Sequence, residues 1–406
     1  NVFLIDDEGR RHAGLEEIRG KGVRAGFEYA TDNAETILVK VGISSVSSKN
    51  AFQNLRSELP GWDFEYVKRK AQKKWSGYLS VIDIKTTDEE KKKVFYTALY
   101  HAQLVPNIYS DVNGEYRTPS DKINSVTNFN HHYTFSLWDT FRGLHPLLTI
   151  INPDKATELT KTMMQHYDDY GLLPYWTLWG GETYCMIGYH SAPVLLDAWK
   201  KGLLKGVDED KVYIALKKSA MGQDSTRNFK DIELYIEHGF LPEDVMRKKY
   251  FNGEPGHTES VSRTLEWAYN DWCVAQFAKK LGTEEEYDYF INRSKSYQQV
   301  FDKETGFVRP KNSDGSWVEP FSPLNTGHSN GFTEGNSWQF MWFVPHDVDG
   351  LVELMGGKDK FKQKLENLFL KPFDRSKNDF LDVSGLIGQY AHGNEPCHHV
   401  AYLFNY

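Results

Sequence analysis

From Asn50 onward, apolar residues recur at spacings of three and four in runs of 10 to 20 residues, the spacing that places them along one face of an α-helix. Such runs include "NAFQNLRSEL" (50–59), "DEEKKKVFYTALYHAQLV" (88–105), "DKATELTKTMMQHYDDY" (154–170), "SAPVLLDAWKKG" (191–202), "TESVSRTLEWAYNDWCVAQFAKKLG" (258–282) and "KDKFKQKLENLFL" (358–370). Their ends are marked: Asp88 ahead of Glu89 and Glu90 favours a start, Gly202 and Gly282 after lysine pairs favour stops, and Thr283 caps the next helix. The segment "DFEYVKRKAQKKW" (63–75) mixes charges with apolar residues at helical spacing and reads as a solvated helix face. Only residues 34–46, "AETILVKVGISSV", alternate and carry enough β-branched residues to predict a strand.

Between the helical runs lie four long aromatic and glycine-rich stretches, 106–135, 171–189, 305–334 and 371–396. They are too long for bundle turns, and their Trp, Tyr and His content disfavours disorder. Paired helices in a ring, with these loops gathered at one end over a cleft, satisfy the pattern. The predicted fold is mainly α, an (α/α)6 toroid.

With 406 residues the chain can bury a sizeable core, and 11 Trp, 23 Tyr and 24 Phe supply rings both for packing and for stacking on flat sugar faces. A net charge of -8 without a basic stripe argues against nucleic acid or an anionic membrane surface as partner. No stretch reaches the roughly 18 to 20 apolar residues of a membrane span. Three widely spaced cysteines, Cys185, Cys273 and Cys397, offer neither a disulfide framework nor a zinc spacing and read as buried small residues.

Four loop segments carry candidate chemistry. "FSLWDTFRGLHP" (135–146) sets Trp138 beside Asp139, a ring next to a carboxylate able to accept from vicinal hydroxyls, although Asp139 also fits a helix N-terminus or a pair with Arg142. "LPYWTLWGGETYCMIGYH" (173–190) presents Trp176, Trp179, Tyr184 and His190 around a glycine pair, which favours a binding surface. "GQYAHGNEPCHHVAYLFNY" (388–406) clusters His392, Asn394, Glu395, His398 and His399. The histidines could bind a transition metal, the oxygens of Asn394 and Glu395 suit a hard cation, and a helix start at Pro396 accounts for the same residues structurally. "GFTEGNSWQF" (331–340) sets Glu334 among Phe332, Asn336, Trp338 and Phe340, where it fits either a helix N-terminus or an acid whose proton is retained by apolar neighbours.

Five segments, "FYTALYHAQLVPN" (95–107), "FSLWDTFRGLHPLL" (135–148), "SVSRTLEWAYNDWCVAQFA" (260–278), "GFTEGNSWQF" and "GQYAHGNEPCHHVAYLFNY", resemble glycoside hydrolase family 92, the calcium-dependent exo-acting α-mannosidases. The resemblance runs from about residue 34 to Tyr406 and implies an N-terminal β-sandwich, an (α/α)6 catalytic domain and hydrolysis with inversion. Residues 1–60 then correspond to the end of the sandwich and a linker helix, and 61–406 to the toroid, incomplete at its C-terminus. The family's general base falls in a segment beyond the last motif, so these 406 residues alone are expected to have little hydrolase activity.

The resemblance implies Glu334 as the general acid, Trp138, Asp139, Trp338 and His399 as sugar-binding residues, and calcium held by Asn394 and Glu395, with Gln389 a weaker ligand. The implied substrate is terminal α-linked mannose, α-1,2 in N-glycans or mannans, and the implied location is periplasmic, surface or secreted in a bacterium. A non-catalytic carbohydrate-binding protein, or another toroid glycosidase or lyase, are the competing readings.

Overall fold

A computed structural model describes residues 1–31, 35–178, 180–222, 230–376 and 380–406. The chain opens with a small antiparallel sheet in which β1 (Val2–Ile5) lies between β2 (Arg11–Ala13) and β3 (Arg24–Phe27), with Phe3 opposite Ala13 on one side and Gly26 on the other. The Arg11 guanidinium covers the Phe3 ring at 3.6 Å. Three helices follow, α1 (Ser48–Glu58), α2 (Phe64–Leu79) and α3 (Glu89–His101). Each starts where a side-chain oxygen takes an orphan N–H: Ser47 from Asn50, Asp63 from Tyr66 and Asp88 from Lys91. No residue of α2 is buried, consistent with its solvated-face pattern.

The predicted strand at 34–46 does not form. Ala34 lies outside the described residues, and 35–46 has no regular structure; Val39, Val41 and Ile43 are 72 to 80% exposed. β-branched alternation favours extended backbone, but a strand also needs a ladder partner, and among the described residues none pairs here. At the end of this segment and in the helix after it the chain is tied down: Ser44 donates to Asp111 at 2.6 Å, Asn54 to the same carboxylate at 2.6 Å, and Arg117 to the Ser45 carbonyl at 2.7 Å.

The body is helical: α4 (Leu137–Thr140), α5 (Leu144–Ile151), α6 (Pro153–Tyr170), α7 (Ser191–Lys200), α8 (Glu209–Ala220), α9 (Lys230–His238), α10 (Glu243–Phe251), α11 (Ser260–Leu281), α12 (Glu284–Arg293), α13 (Ser337–Phe340), α14 (Val348–Leu354) and α15 (Lys358–Leu370). The ends follow from local sequence. Asn152 caps α6 ahead of Pro153, Gly171 closes it at φ 84°, and Thr283 with Glu286 forms a full capping box on α12.

Helix α11 is the spine, packed against α7, α8 and α12 and buried on all sides. It carries polar residues into the core, and each is answered. Asp271 takes Tyr189 at 2.5 Å, Tyr235 at 3.0 Å and the Arg293 guanidinium. Asn270 bonds the Tyr189 N–H at 2.8 Å and His190 Nδ1 at 3.2 Å. Cys273 and Cys397 are buried as expected, whereas Cys185 is exposed.

The long stretches are stitched by short strand pairs. Asn107–Ile108 pairs with His132–Tyr133, Glu115–Arg117 with Ile123–Ser125, Phe135–Ser136 with Trp176–Leu178, and Leu386–Ile387 with Tyr390–Ala391. Asp139 and Glu334, far apart in sequence, both feel the charge of Glu395.

Candidate active site

The acid candidate sits on a loop with unusual backbone. Among the described residues seven non-glycine residues have positive φ, three of them Asp or Asn, which tolerate it. Of the others, Tyr184 (50°), Glu259 (53°) and Glu334 (48°) border one site. Such a backbone costs about 1–3 kcal/mol per residue and persists only where surrounding bonds enforce it.

Around Glu334 those bonds are visible. Asn394 donates through Nδ2 to the Glu334 carbonyl at 2.8 Å, and Gly327 N–H donates to the Gly335 carbonyl at 3.0 Å. The Gly331 carbonyl accepts from the first turn of α11, from Val261 at 2.9 Å and Ser262 at 3.3 Å, and Ser262 Oγ accepts from Thr333 N–H at 3.0 Å. Only glycine fits at 331, because φ is 86° and a Cβ would lie 2.6 Å from Pro310. Asn336 then caps α13 in a reciprocal box with Gln339, so the helix N-cap is Asn336, and Glu334 stands outside the helix with its side chain uncommitted to capping. Gln389 supports α13 from below, accepting at its carbonyl from Gln339 at 3.1 Å and through Oε1 from Asn336 at 3.2 Å.

The electrostatics keep the Glu334 proton in place. Burial, then the Asp382 carboxylate, raise its pKa to about 7, against the opposing pull of His328. His328 is itself pushed up by its 2.6 Å bond to Glu259, which opens α11. Asp139 is half-buried and raised to about 6 by burial and by the Glu395 carboxylate, so two carboxyl groups with elevated pKa share this region with Glu395.

Near Asp139 lies a buried hydrogen-bonded centre. Glu266, on α11, is 0% exposed and accepts from Trp138 Nε1 at 2.9 Å, His190 Nε2 at 2.9 Å and Arg142 Nη2 at 3.3 Å. Arg142 also donates through Nε to the Trp138 carbonyl at 2.9 Å and spreads over Trp138, Phe141 and Phe343 at 4.7 to 5.0 Å. The anticipated hydrogen-bonded pair between Asp139 and Arg142 gives way to this arrangement, although the guanidinium still lowers the Asp139 pKa by its charge.

Trp138 (2% exposed) and Trp338 (6%) therefore lie inside the core and present no ring face to a ligand. The reason for Trp138 is Glu266, which fixes its indole; Trp338 is held edge-on to Phe307 at 4.9 Å with the Lys364 ammonium 4.7 Å from its ring centre. His399 is partly exposed. It bonds the Trp342 carbonyl through Nε2 at 2.8 Å, which places the proton on Nε2, and burial drops its pKa to about 4, so the ring is neutral. His190, expected at a binding surface, is buried against Phe141 at 4.2 Å. Trp179 lies outside the described residues.

Asn394 is 3% exposed, and its Oδ1 accepts from the Glu395 N–H at 3.2 Å as the cap of a 3-10 turn, Glu395–Cys397. The Glu395 carboxylate is felt by Asp139, Glu334 and Arg142. Among the described residues no three His, Cys, Asp or Glu side chains converge in metal-holding geometry. Two residues that influence Glu334 have no signal in the sequence: Glu259 and His328 lie 69 positions apart, and no local pattern joins them.

Residues 50–406 match the glycosyl hydrolase family 92 catalytic domain. The chain is similar to an uncharacterized secreted glycosidase of Arthroderma benhamiae, at 26% identity over 94% of this chain and 46% of the relative. It is also similar to the family GH92 alpha-mannosidase BT3965 of Bacteroides thetaiotaomicron, at 36% identity and a TM-score of 0.84 over all of this chain and 52% of that one. A third relative is the family GH92 inverting mannosidase BT2199 of the same organism, at 27% identity and a TM-score of 0.80 over all of this chain and 55% of that one. The chain thus spans about half the length of these relatives, and shares the (α/α)6 toroid of its structural neighbours.

Proposed function

The chain belongs to glycosyl hydrolase family 92, and on that premise we propose that it carries the general acid and sugar-binding face of an exo-acting, inverting α-mannosidase. The observation that carries the reading is Glu334: a half-buried carboxyl raised to about 7, on a left-handed backbone held from Asn394 and from α11. A proton retained near neutral pH and aimed by a fixed loop is what departure of a sugar alkoxide requires.

In the proposed reaction Glu334 gives its proton to the glycosidic oxygen as the C1–O bond breaks. Water attacks C1 from the opposite face, and its proton passes to a base about 6.5–9.5 Å from the acid. We assign no residue of this chain to that base. Asp139 accepts hydrogen bonds from hydroxyls of the terminal mannose, and the neutral ring of His399 offers Nδ1 as a further acceptor. Trp138 and Trp338 serve this face from behind, by fixing the backbone that presents Asp139 and the helix that follows Glu334.

Calcium fits the donor chemistry in part. Glu395 supplies a hard carboxylate in a field made negative by Asp139, and Asn394 Oδ1 has a second lone pair beside the one it lends to a backbone N–H. Glu395 and Asn394 would hold the ion, which when bound supplies Lewis-acid polarisation of sugar hydroxyls. Six to eight oxygens are needed in all, so the remainder would come from backbone, water and sugar.

The substrate we take to be terminal α-1,2-linked mannose of N-glycans or mannans, met by an exported enzyme. Among the described residues no helix is long and apolar enough to cross a membrane. The full-length protein on linkage-defined mannobiosides, with and without chelator, tests the reading: mannose is released, and chelator suppresses release. Binding without turnover on every linkage overturns it.

A further inference from the structure

Beside the acid loop a cavity of about 280 Å³ is lined by Tyr175, Tyr184, Cys185, Glu259, Arg263 and Trp267 among others. It is linked to Glu334 through Glu259. Glu259 faces the cavity and holds His328, whose charge acts on Glu334, while the turn of α11 that follows Glu259 holds the acid loop through Gly331. On the same lining, burial raises the Cys185 thiol, and the carboxylates of Asp139, Glu334 and Glu259 raise it further. Cys185 therefore lies in the field of both Asp139 and Glu334.

The lining is polar but charge-compensated. Arg263 pairs with Asp231 at 2.6 Å, Lys249 with the same carboxylate at 2.6 Å, and Glu259 with His328 at 2.6 Å. Such a surface favours a neutral, hydroxyl-rich ligand over an anion or a cation. Tyr175 and Tyr184 meet edge to face at 5.7 Å and supply an aromatic border. The volume lies just below the roughly 300–1,000 Å³ of sites for drug-sized molecules, which matches one sugar ring rather than a branch.

The wall is also built to stay in place. The Glu182 carboxylate, itself raised by burial, accepts three backbone N–H bonds, from Tyr175 at 2.9 Å, Trp176 at 2.8 Å and Tyr184 at 3.1 Å. This fixes the left-handed backbone of Tyr184, and Glu259, which also lines the cavity, has positive φ as well. Two enforced outliers lining one cavity mark a preorganised binding feature.

We propose that this cavity receives the leaving-group sugar of the reaction, with Glu259 and Arg263 addressing its hydroxyls, Tyr184 bordering the ring and Glu182 acting as a positioning residue for that border. The inference rests on the α-mannosidase reading and adds which residues select the sugar that departs.

Cys185 provides a test that needs no refolding, since it is exposed while Cys273 and Cys397 are buried. The full-length enzyme is alkylated with iodoacetamide and assayed on a mannobioside and on α-mannosyl fluoride, whose leaving group is a single atom. Blocking the cavity should lower kcat/KM for the mannobioside by about tenfold or more and change the fluoride far less. Cys185→Ser should remove the effect of the reagent, and Tyr184→Ala should reproduce the split. Equal losses on both substrates, or no loss at complete alkylation of Cys185, would overturn the proposal. An unmodified enzyme that cleaves neither substrate would instead refute the mannosidase reading and this inference with it.

Discussion

Glu266 and Glu334 are both glutamates withdrawn from water within one region, and their surroundings have opposite character. Glu266 is 0% exposed and receives an indole N–H, an imidazole N–H and a guanidinium, so its charge is answered from three sides. Glu334 is half-buried, and burial with the carboxylates of Asp382 and Glu395 in its field outweighs the opposing charge of His328 and a hydrogen bond from Asn394, so its proton is retained. Burial among three donors ties a carboxyl into the structure; burial beside other carboxylates raises its pKa and keeps its proton.

The largest expected effect is on the second of these. Glu334→Gln keeps the shape and removes the proton, so kcat/KM on a mannobioside should fall by about 10²–10⁴-fold, and much less on an aryl mannoside with a good leaving group. In the wild type the rate should decline as pH rises above about 7, since the acid must be protonated, and the variant should lose that limb. Stability should move the other way. A carboxyl raised in the folded state favours folding below its unfolded pKa and forfeits that as pH climbs through about 7. Glu334→Gln should therefore melt higher than wild type at pH 8, by an amount on the order of 1 kcal/mol once partial exposure is allowed for. Equal losses on both substrates, or a lower Tm at pH 8, would contradict the contrast.

Glu266→Gln should do the reverse: it strips the buried Arg142 of its partner, and unfolding free energy should drop by about 3–5 kcal/mol. Denaturant midpoints of the two variants, measured together, separate the roles. A Glu266→Gln protein as stable as wild type would mean that the buried centre near Asp139 carries little energy.

How far these roles were legible in the sequence follows from the range of the interactions. Helix positions were readable because caps and periodicity are local, as at Asp88, Thr283 and the run 358–370. The local sequence around Glu334 fitted a helix N-terminus as well as an acid, and the acid role was implied by the family resemblance of its ten-residue segment. Trp138 was not placed correctly, because a tryptophan beside a carboxylate looks like a stacking pair, and what buries it is Glu266, 128 residues later. The strand at 34–46 failed for a related reason: alternation is local, but a ladder partner is not. Glu259 and His328 had no signal at all, since their pairing depends on α11 meeting the acid loop.

Asp139 tests the middle ground, a carboxylate raised to about 6 but open to solvent on one side. Asp139→Ala should lower kcat/KM by about tenfold to a hundredfold through lost hydroxyl contacts, with the fold intact. A variant that only unfolds, with normal activity in the folded fraction, would move Asp139 to the structural side of the comparison.

The smallest effect expected, and the sharpest in what it divides, is at Asn394. Its amide nitrogen holds the Glu334 carbonyl and its oxygen holds the Glu395 N–H, so it can act by aiming the acid, by helping to bind calcium, or both. Asn394→Ala removes donor and oxygen together and should cost about 0.5–2 kcal/mol of stability as well as activity. Asn394→Asp keeps an oxygen for the cap and the cation but sets it against the Glu334 carbonyl, where a donor stood. If the amide aims the acid, the Asp variant should bind calcium at least as well as wild type while kcat on a mannobioside falls by about tenfold and KM moves little. Aryl mannosides should feel it less, because they depend less on the acid. An Asp variant with full kcat and normal calcium affinity would show that the left-handed turn at Glu334 holds itself, and would leave the oxygen of Asn394 as the part that counts.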